Sequence, residues 1–140
     1  MKRYTGSCLC EMVKFSISEP FESQVHCHCT LCQRAHGAAF VTWVCQKNET
    51  FAFDSGAESV RWYASTTEGR RGFCAHCGST MFFRSSFWPD ETHVALACLH
   101  EQNDFKVQAH ICYDTHVGWA IVSDDLPRRS ASELMRDDGV

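Results

Sequence analysis

The sequence lacks long apolar runs, a basic segment and any stretch rich in proline or glycine. Its longest apolar run extends only from Val94 to Leu99, whereas a membrane-spanning helix needs about 18 such residues. No apolar stretch follows the two basic residues at the N-terminus, so we expect no secretory signal. We therefore expect a cytoplasmic protein, in a compartment where clustered cysteines bind metal more often than they form disulfides.

Charge and composition restrict the class of protein further. Asp and Glu total 17 against 13 Lys and Arg, a net charge of −4, which argues against binding to nucleic acid through its phosphates. With 3 prolines and 8 glycines among 140 residues, no segment has the composition of a linker. We therefore expect one domain over residues 1–127, a C-terminal tail over residues 128–140 that is a short helix or disordered, and no nucleic-acid or membrane partner.

Hydrophobic residues recur mainly with a period of two, which is the pattern of strands with one buried face. The alternation predicts roughly seven to nine short strands in a mainly β domain. The clearest segments are residues 13–17, 40–45, 51–53, 60–64, 80–84, 93–99, 105–113 and 119–123. Helix is predicted only from Thr30 to His36 and after the capping-box pair Ser130 and Glu133. The expected fold class is a set of antiparallel β-sheets with little helix.

Cysteine is the unusual component, with 10 residues of this type in the chain. One close pair, Cys8 and Cys10, lies near the N-terminus, and another, Cys74 and Cys77, lies in the middle of the chain. Two thiolates from one short turn can reach a zinc ion at about 2.3 Å, and structural zinc sites take four ligands. We therefore predict that these two pairs together form a structural zinc site that fastens the N-terminal strand to the middle of the chain.

A third cluster has three cysteines, Cys27, Cys29 and Cys32, and no obvious fourth ligand. Three protein ligands with an open position are the pattern of catalytic zinc, where water or substrate completes the shell. We therefore predict a second zinc ion here, at a catalytic site formed by these cysteines. The cysteines that could instead close the site lie in apolar runs and are expected to be small buried hydrophobic residues; they are Cys45, Cys98 and Cys112.

Other side chains near the clusters could contribute to the chemistry. The rival metal ligands are His26, His28, His36 and His76. His28 or His36 could also accept the proton of a bound thiol. Arg34 is the nearest cation that could offset the negative charge of a zinc ion held by three thiolates. The candidate aromatic walls of a cleft are Trp43, Phe87, Trp88 and Trp119.

The order of these motifs resembles the glutathione-dependent formaldehyde-activating enzyme family, also called the centromere protein V family. The matching motifs are Cys8-x-Cys10, Cys27-His-Cys29-x-x-Cys32-x-Arg34 with Gly37, Phe73-Cys74-x-x-Cys77-Gly78, and Trp119 with Leu126-Pro127. The resemblance covers residues 4–127. It implies a β-tent fold with two zinc ions per chain. The implied structural ligands are Cys8, Cys10, Cys74 and Cys77, and the implied catalytic-type ligands are Cys27, Cys29 and Cys32.

The resemblance also implies a function, which the residue pattern alone could not name. The family reaction joins glutathione and formaldehyde to give S-hydroxymethylglutathione, a carbon–sulfur lyase type of step. We therefore expect a zinc-dependent enzyme whose partners are a small thiol such as glutathione and a small aldehyde. Two alternatives stay open from the sequence: a zinc-stabilised binding or chaperone-like module without catalysis, and a sensor of thiol oxidation or of metal.

Overall fold

The computed structural model describes residues 1–133, and the predicted mainly β fold with little helix is confirmed. Within these residues there are ten strands and one α-helix of more than one turn. The strands are β1 (Arg3–Ser7), β2 (Lys14–Ser18), β3 (Ser23–Cys27), β4 (Val41–Lys47), β5 (Phe51–Ser55), β6 (Val60–Ala64), β7 (Gly69–Cys74), β8 (Thr80–Ser85), β9 (Trp88–Ala95) and β10 (Ala109–Ile111). The helix, α1, is Thr30–His36, which are the bounds predicted from the sequence.

The strands form two sheets of unequal size. A three-stranded antiparallel sheet has the order β1-β2-β5, and a seven-stranded sheet has the order β10-β3-β4-β9-β8-β7-β6. The pairs in the larger sheet are antiparallel except β10 with β3, which is parallel. Because β3 ends at Cys27 and is followed closely by α1, the middle cysteine cluster lies at the end of β3, which is the second strand from one edge of the larger sheet.

The main core lies between the two sheets. The alternating residues Phe15 and Ile17 of β2 are fully buried and pack with Phe82 of β8. Phe51 and Phe53 of β5 contact the same Phe82 ring edge-on. The burial of these aromatic side chains joins the small sheet to the large one, at about 1.5–3 kcal/mol for each buried side chain.

Three predicted strands are wrong in whole or in part. Residues 119–123 form no strand, and the apolar side chains of Trp119 and Ile121 are 74% and 93% exposed. Alternating apolar residues form a strand only where a neighbouring strand supplies hydrogen bonds to the backbone. Within residues 1–133, no strand pairs with this segment. The predicted strand over 105–113 is restricted to Ala109–Ile111, and the strand predicted over 93–99 ends at Ala95, where a 3₁₀ turn begins.

The C-terminal segment begins with the predicted capping box. The backbone N–H of Glu133 donates to Ser130 Oγ, and the backbone N–H of Ser130 donates to Glu133 Oε1, each at 3.3 Å. Just before it, Arg128 forms an isolated parallel bridge with His110 of β10. The predicted tail of residues 128–140 lies in part outside the described residues, because residues 134–140 are not among them.

Candidate functional site

The four thiols predicted to form a structural zinc site lie together. The Sγ atoms of Cys8, Cys10, Cys74 and Cys77 are all within 4.8 Å of one another. Cys10 is 3.6 Å from Cys8 and 3.8 Å from Cys74, sulfur to sulfur. Four sulfur atoms bound at about 2.3 Å around one tetrahedral ion lie about 3.8 Å apart. The cluster therefore has the spacing of a four-thiolate metal site, and it could hold a metal.

Backbone amides in both turns point at these sulfur atoms. The N–H of Val13 donates to Cys8 Sγ at 3.3 Å, and the N–H of His76 donates to Cys74 Sγ at 3.4 Å. Gly78 has a φ of 78°, which lets its N–H turn back to the carbonyl of Cys74. Such donors stabilise the ionised form of a thiol, which is the form that binds metal.

The middle cluster is more open than the first. Cys27 ends β3, Cys29 caps the start of α1, and Cys32 lies in the first turns of α1. The Sγ atoms of Cys27 and Cys32 are 3.6 Å apart. Among residues 1–133, however, the three thiols are not one of the sets whose ligand atoms all lie within 4.8 Å of one another. The sulfur atoms of Cys27 and Cys32 have the spacing of a metal site. The sulfur atom of Cys29 would have to move closer to them for all three to bind one ion.

Ionisation within this cluster is unequal. Contacts from Cys27 and Cys32, together with the backbone amides of Cys32 and Leu31, hold the pKa of Cys29 far below the ordinary value of a thiol. Contacts with Cys112, Cys29 and Cys32, together with burial, raise the pKa of Cys27. Cys29 is therefore the thiol of the three that ionises most readily.

The three cysteines open into a cavity of about 520 Å³. A single row of residues crosses five adjacent strands and forms one wall of it. The row consists of Ser23, Cys45, His93, Phe83 and Arg71, from β3, β4, β9, β8 and β7. The volume suits a small-molecule ligand. The structure therefore places the cysteines of the predicted catalytic site in a pocket and not in a closed core.

Arg71 brings a positive charge next to the three-cysteine cluster. Its side chain is buried, its Nη1 lies 3.5 Å from Cys32 Sγ, and its guanidinium lies over the ring of Phe83. The sequence suggested Arg34 for this role, but Arg34 is exposed on α1. Arg71 is far from Cys32 in sequence and reaches it only through the pairing of β7 with β8. Linear proximity therefore selected the wrong arginine.

Two of the four aromatic residues proposed for the cavity wall are in it. Trp43 and Trp88 line the cavity, together with Phe83, which is not one of the four. Phe87 is not a lining residue and is partly exposed, and Trp119 is exposed.

Comparison with known proteins assigns the family. A family sequence profile described as glutathione-dependent formaldehyde-activating enzyme matches residues 3–115. The chain belongs to the glutathione-dependent formaldehyde-activating enzyme family. The matched range contains both cysteine clusters, Arg71 and every residue that lines the cavity. The resemblance drawn from the sequence motifs is confirmed.

Two relatives and one crystal structure are similar to this chain. An uncharacterized lyase of Schizosaccharomyces pombe is 35% identical over 116 residues, which is 81% of this chain and 81% of that protein. A Halomonas elongata protein with the provisional name of glutathione-dependent formaldehyde-activating enzyme is 28% identical over 95 residues, 63% of this chain and 60% of its own length. A crystal structure of a Rhodobacter sphaeroides protein shares the fold, with a TM-score of 0.60 at 24% identity over 74% of this chain and 96% of that one.

The histidines of this family member lie mainly outside the cavity wall. His28 is 2% exposed, its Nε2 lies 2.8 Å from His110 Nδ1, and His110 Nε2 lies 3.0 Å from Asp124. Burial, and then the neighbouring His110, lower the pKa of His28 to about 4. Burial, and then Arg71, lower the pKa of His36 to about 4. Neither candidate proton acceptor lines the cavity; the imidazole in the wall is His93.

His26 also belongs to this hydrogen-bonded group. Its Nδ1 lies 2.8 Å from Thr42 Oγ1, and the ligand atoms of His26, His110 and Asp124 lie within 4.8 Å of one another. These contacts fix β10 beside β3, which brings Cys112 to the cysteine cluster.

The three cysteines that might have closed the second site lie in different environments. Cys112 lines the cavity and contacts Cys27, so it is the nearest fourth thiol. Cys45 also lines the cavity, in the row that crosses the sheet. Cys98 does not line the cavity; it packs against both buried clusters of the protein, and burial raises its pKa to about 11.

Replacing Arg71 should weaken the binding of an anionic thiol in this pocket. We expect Arg71→Gln to lower affinity for glutathione about 10-fold, the value of one lost hydrogen bond to a charged group. Arg70→Gln, an exposed neighbour on the same strand, is the matched control and should bind normally. Isothermal titration calorimetry of both variants measures the difference; equal affinities would remove Arg71 from the site.

In residues 1–133, no helix combines the length and the apolarity that crossing a membrane requires.

Proposed function

We propose that this protein is a zinc-dependent enzyme of the carbon–sulfur lyase type that adds a thiol such as glutathione to a small aldehyde such as formaldehyde. The family name supplies both substrate classes. The proposal assigns Cys8, Cys10, Cys74 and Cys77 to a structural zinc ion. It assigns Cys27, Cys29 and Cys32 to a second, catalytic zinc ion. A cytoplasmic location, where glutathione is reduced and abundant, is part of the same proposal.

The observation that supports this function best is the contrast between the two cysteine clusters. The four-cysteine set has the spacing of a closed tetrahedral site, whereas the three-cysteine set is looser and faces a cavity of about 520 Å³. Structural zinc sites are closed, and catalytic sites keep a position for water or substrate. A binding module or a structural protein has no need of a second metal site that opens into a pocket.

The charges around the open cluster suit an anionic thiol. A zinc ion bound there would supply a Lewis acid that lowers the pKa of a substrate thiol. Three cysteine thiolates and a substrate thiolate carry four negative charges, which two charges on the ion do not balance. Arg71, 3.5 Å from Cys32 Sγ, offsets part of the excess. Trp43, Phe83 and Trp88 keep the wall of the pocket apolar, which excludes water from the reacting groups.

The reaction can be followed directly. Glutathione and ¹³C-formaldehyde are mixed at equilibrium, and exchange spectroscopy by NMR measures the rate at which free formaldehyde and S-hydroxymethylglutathione interconvert. The zinc-loaded protein should accelerate exchange in proportion to its concentration, and protein treated with a chelator should not. If the exchange rate is the same with and without the protein, the proposed function is wrong.

A further inference from the structure

One cysteine of the cavity wall, Cys45, lies outside the three-cysteine cluster and beside a histidine. Cys45 on β4 lies directly opposite His93 on β9 in the antiparallel ladder, and both side chains line the cavity. Cross-strand neighbours of this kind have Cβ atoms about 4.5–5.5 Å apart, which allows side-chain contact. Cys45 is only 7% exposed, so the cavity is its route to a ligand.

His93 is held in place by a carboxylate. His93 Nε2 lies 2.7 Å from Glu91 Oε2, and Glu91 lies two residues away on the same face of β9. Lys47 Nζ lies 3.5 Å from the other carboxylate oxygen and fixes Glu91 in turn. With Nε2 committed to Glu91, Nδ1 is the ring nitrogen that remains for another partner.

The neighbours of His93 favour its protonated form. Burial lowers the pKa of His93, but contacts with Cys45 and then with Glu91 outweigh it and raise that pKa to about 10. The same contact with His93 lowers the pKa of Glu91. A cationic imidazole beside a thiol and a carboxylate is the charge arrangement that activates a cysteine nucleophile.

We propose that Cys45, His93 and Glu91 form a nucleophilic site in the cavity wall, and that Cys45 captures a small aldehyde there as a hemithioacetal. The Cys45 thiol gives its proton to His93 as its sulfur attacks the carbonyl carbon, and a C–S bond forms. The carbonyl π bond breaks, and its oxygen takes the proton of the His93 imidazolium. No group leaves and nothing is oxidised or reduced. Glu91 is a positioning residue, because it acts through His93.

The choice of formaldehyde as the electrophile rests on the proposed function, whereas the reactivity of Cys45 does not. The site uses neither the metal nor glutathione, so it can be tested separately from the three-cysteine cluster. A cysteine that holds the aldehyde in the same cavity as the thiol site would raise the local concentration of the second substrate.

Alkylation by iodoacetamide measures the reactivity of Cys45 in the metal-loaded protein. Trypsin places Cys45 in the peptide 35–47 and Cys98 in the peptide 85–106, each with one cysteine, so mass spectrometry reports both rates in one sample. At pH 7 we expect Cys45 to react at least about 10-fold faster than Cys98, although Cys45 is the more buried of the two. Formaldehyde added without glutathione should slow the alkylation of Cys45 and leave Cys98 unchanged.

Variants connect the reactivity to the side chains. His93→Gln should slow alkylation of Cys45 about 10-fold, and Glu91→Gln should slow it less, while the Cys98 rate stays constant as a measure of intact folding. His100→Gln, at an exposed histidine that does not line the cavity, should change neither rate. Equal rates at Cys45 and Cys98, an unchanged Cys45 rate in His93→Gln, or no protection by formaldehyde would overturn the proposal. None of these results depends on glutathione exchange, so a failure of the proposed function is seen separately.

Discussion

Replacing Cys74 with alanine is expected to unfold the protein, while the same change at Cys98 leaves it folded. Both cysteines pack in the main core, but only Cys74 lies in the four-cysteine cluster. Structural zinc contributes about 10–16 kcal/mol in small zinc domains, which equals or exceeds the roughly 5–15 kcal/mol stability of a typical domain. Cys98→Ala removes one sulfur atom from an apolar contact and should cost about 1 kcal/mol.

The comparison uses thermal unfolding followed by circular dichroism, with zinc content measured on each sample. Cys74→Ala should show no cooperative transition and less bound zinc than the parent protein. Cys98→Ala should unfold cooperatively with full zinc content. A cooperative transition in Cys74→Ala at the temperature of the parent protein would mean that the four-cysteine cluster does not hold the fold together.

The second large effect is expected at Cys32. Cys32→Ala should lower the rate of glutathione–formaldehyde exchange at least about 100-fold, because it removes a proposed ligand and not merely a residue that supports one. Its fold should persist, since the main core and the four-cysteine cluster are elsewhere. The expected signature is loss of activity and of one zinc ion per chain, with a cooperative unfolding transition retained.

Cys112→Ala is the matched control for Cys32→Ala. Cys112 contacts Cys27 and lines the same cavity, yet the open-site account does not use it as a ligand. We expect this variant to keep two zinc ions and most of its activity. If Cys112→Ala loses the second zinc ion as readily as Cys32→Ala does, the site is closed by four thiolates and has no position for substrate.

Much of the fold follows from local pattern. The alternation of Phe15 and Ile17 marks β2, and helix α1 begins and ends where the sequence predicts, with Gly37 in the left-handed conformation at its end. The segment around Trp119 and Ile121 shows the limit of this reasoning. Alternating apolar residues meet one requirement of a strand, but pairing is set by the rest of the chain, and these two side chains are exposed.

The candidate site, like the fold, could be predicted from the sequence only in part. Short spacing identified the close cysteine pairs, because residues in one turn must lie together. Arg71 beside Cys32, and His93 opposite Cys45, depend on which strands are neighbours and in what register. A shift of one residue in β9 would turn His93 to the other face of the sheet. Contacts of this kind are fixed by the sheet as a whole, so linear proximity pointed to Arg34 and passed over Cys45.

The proposed function requires that the three-cysteine cluster hold a zinc ion with a coordination position free for a substrate thiol. Native mass spectrometry of the intact protein, with and without glutathione, tests it most directly. We expect two zinc ions per chain and one bound glutathione, with Cys32→Ala retaining one zinc ion and binding no glutathione. Two zinc ions that are equally resistant to a chelator, on a protein that never binds glutathione, would contradict it.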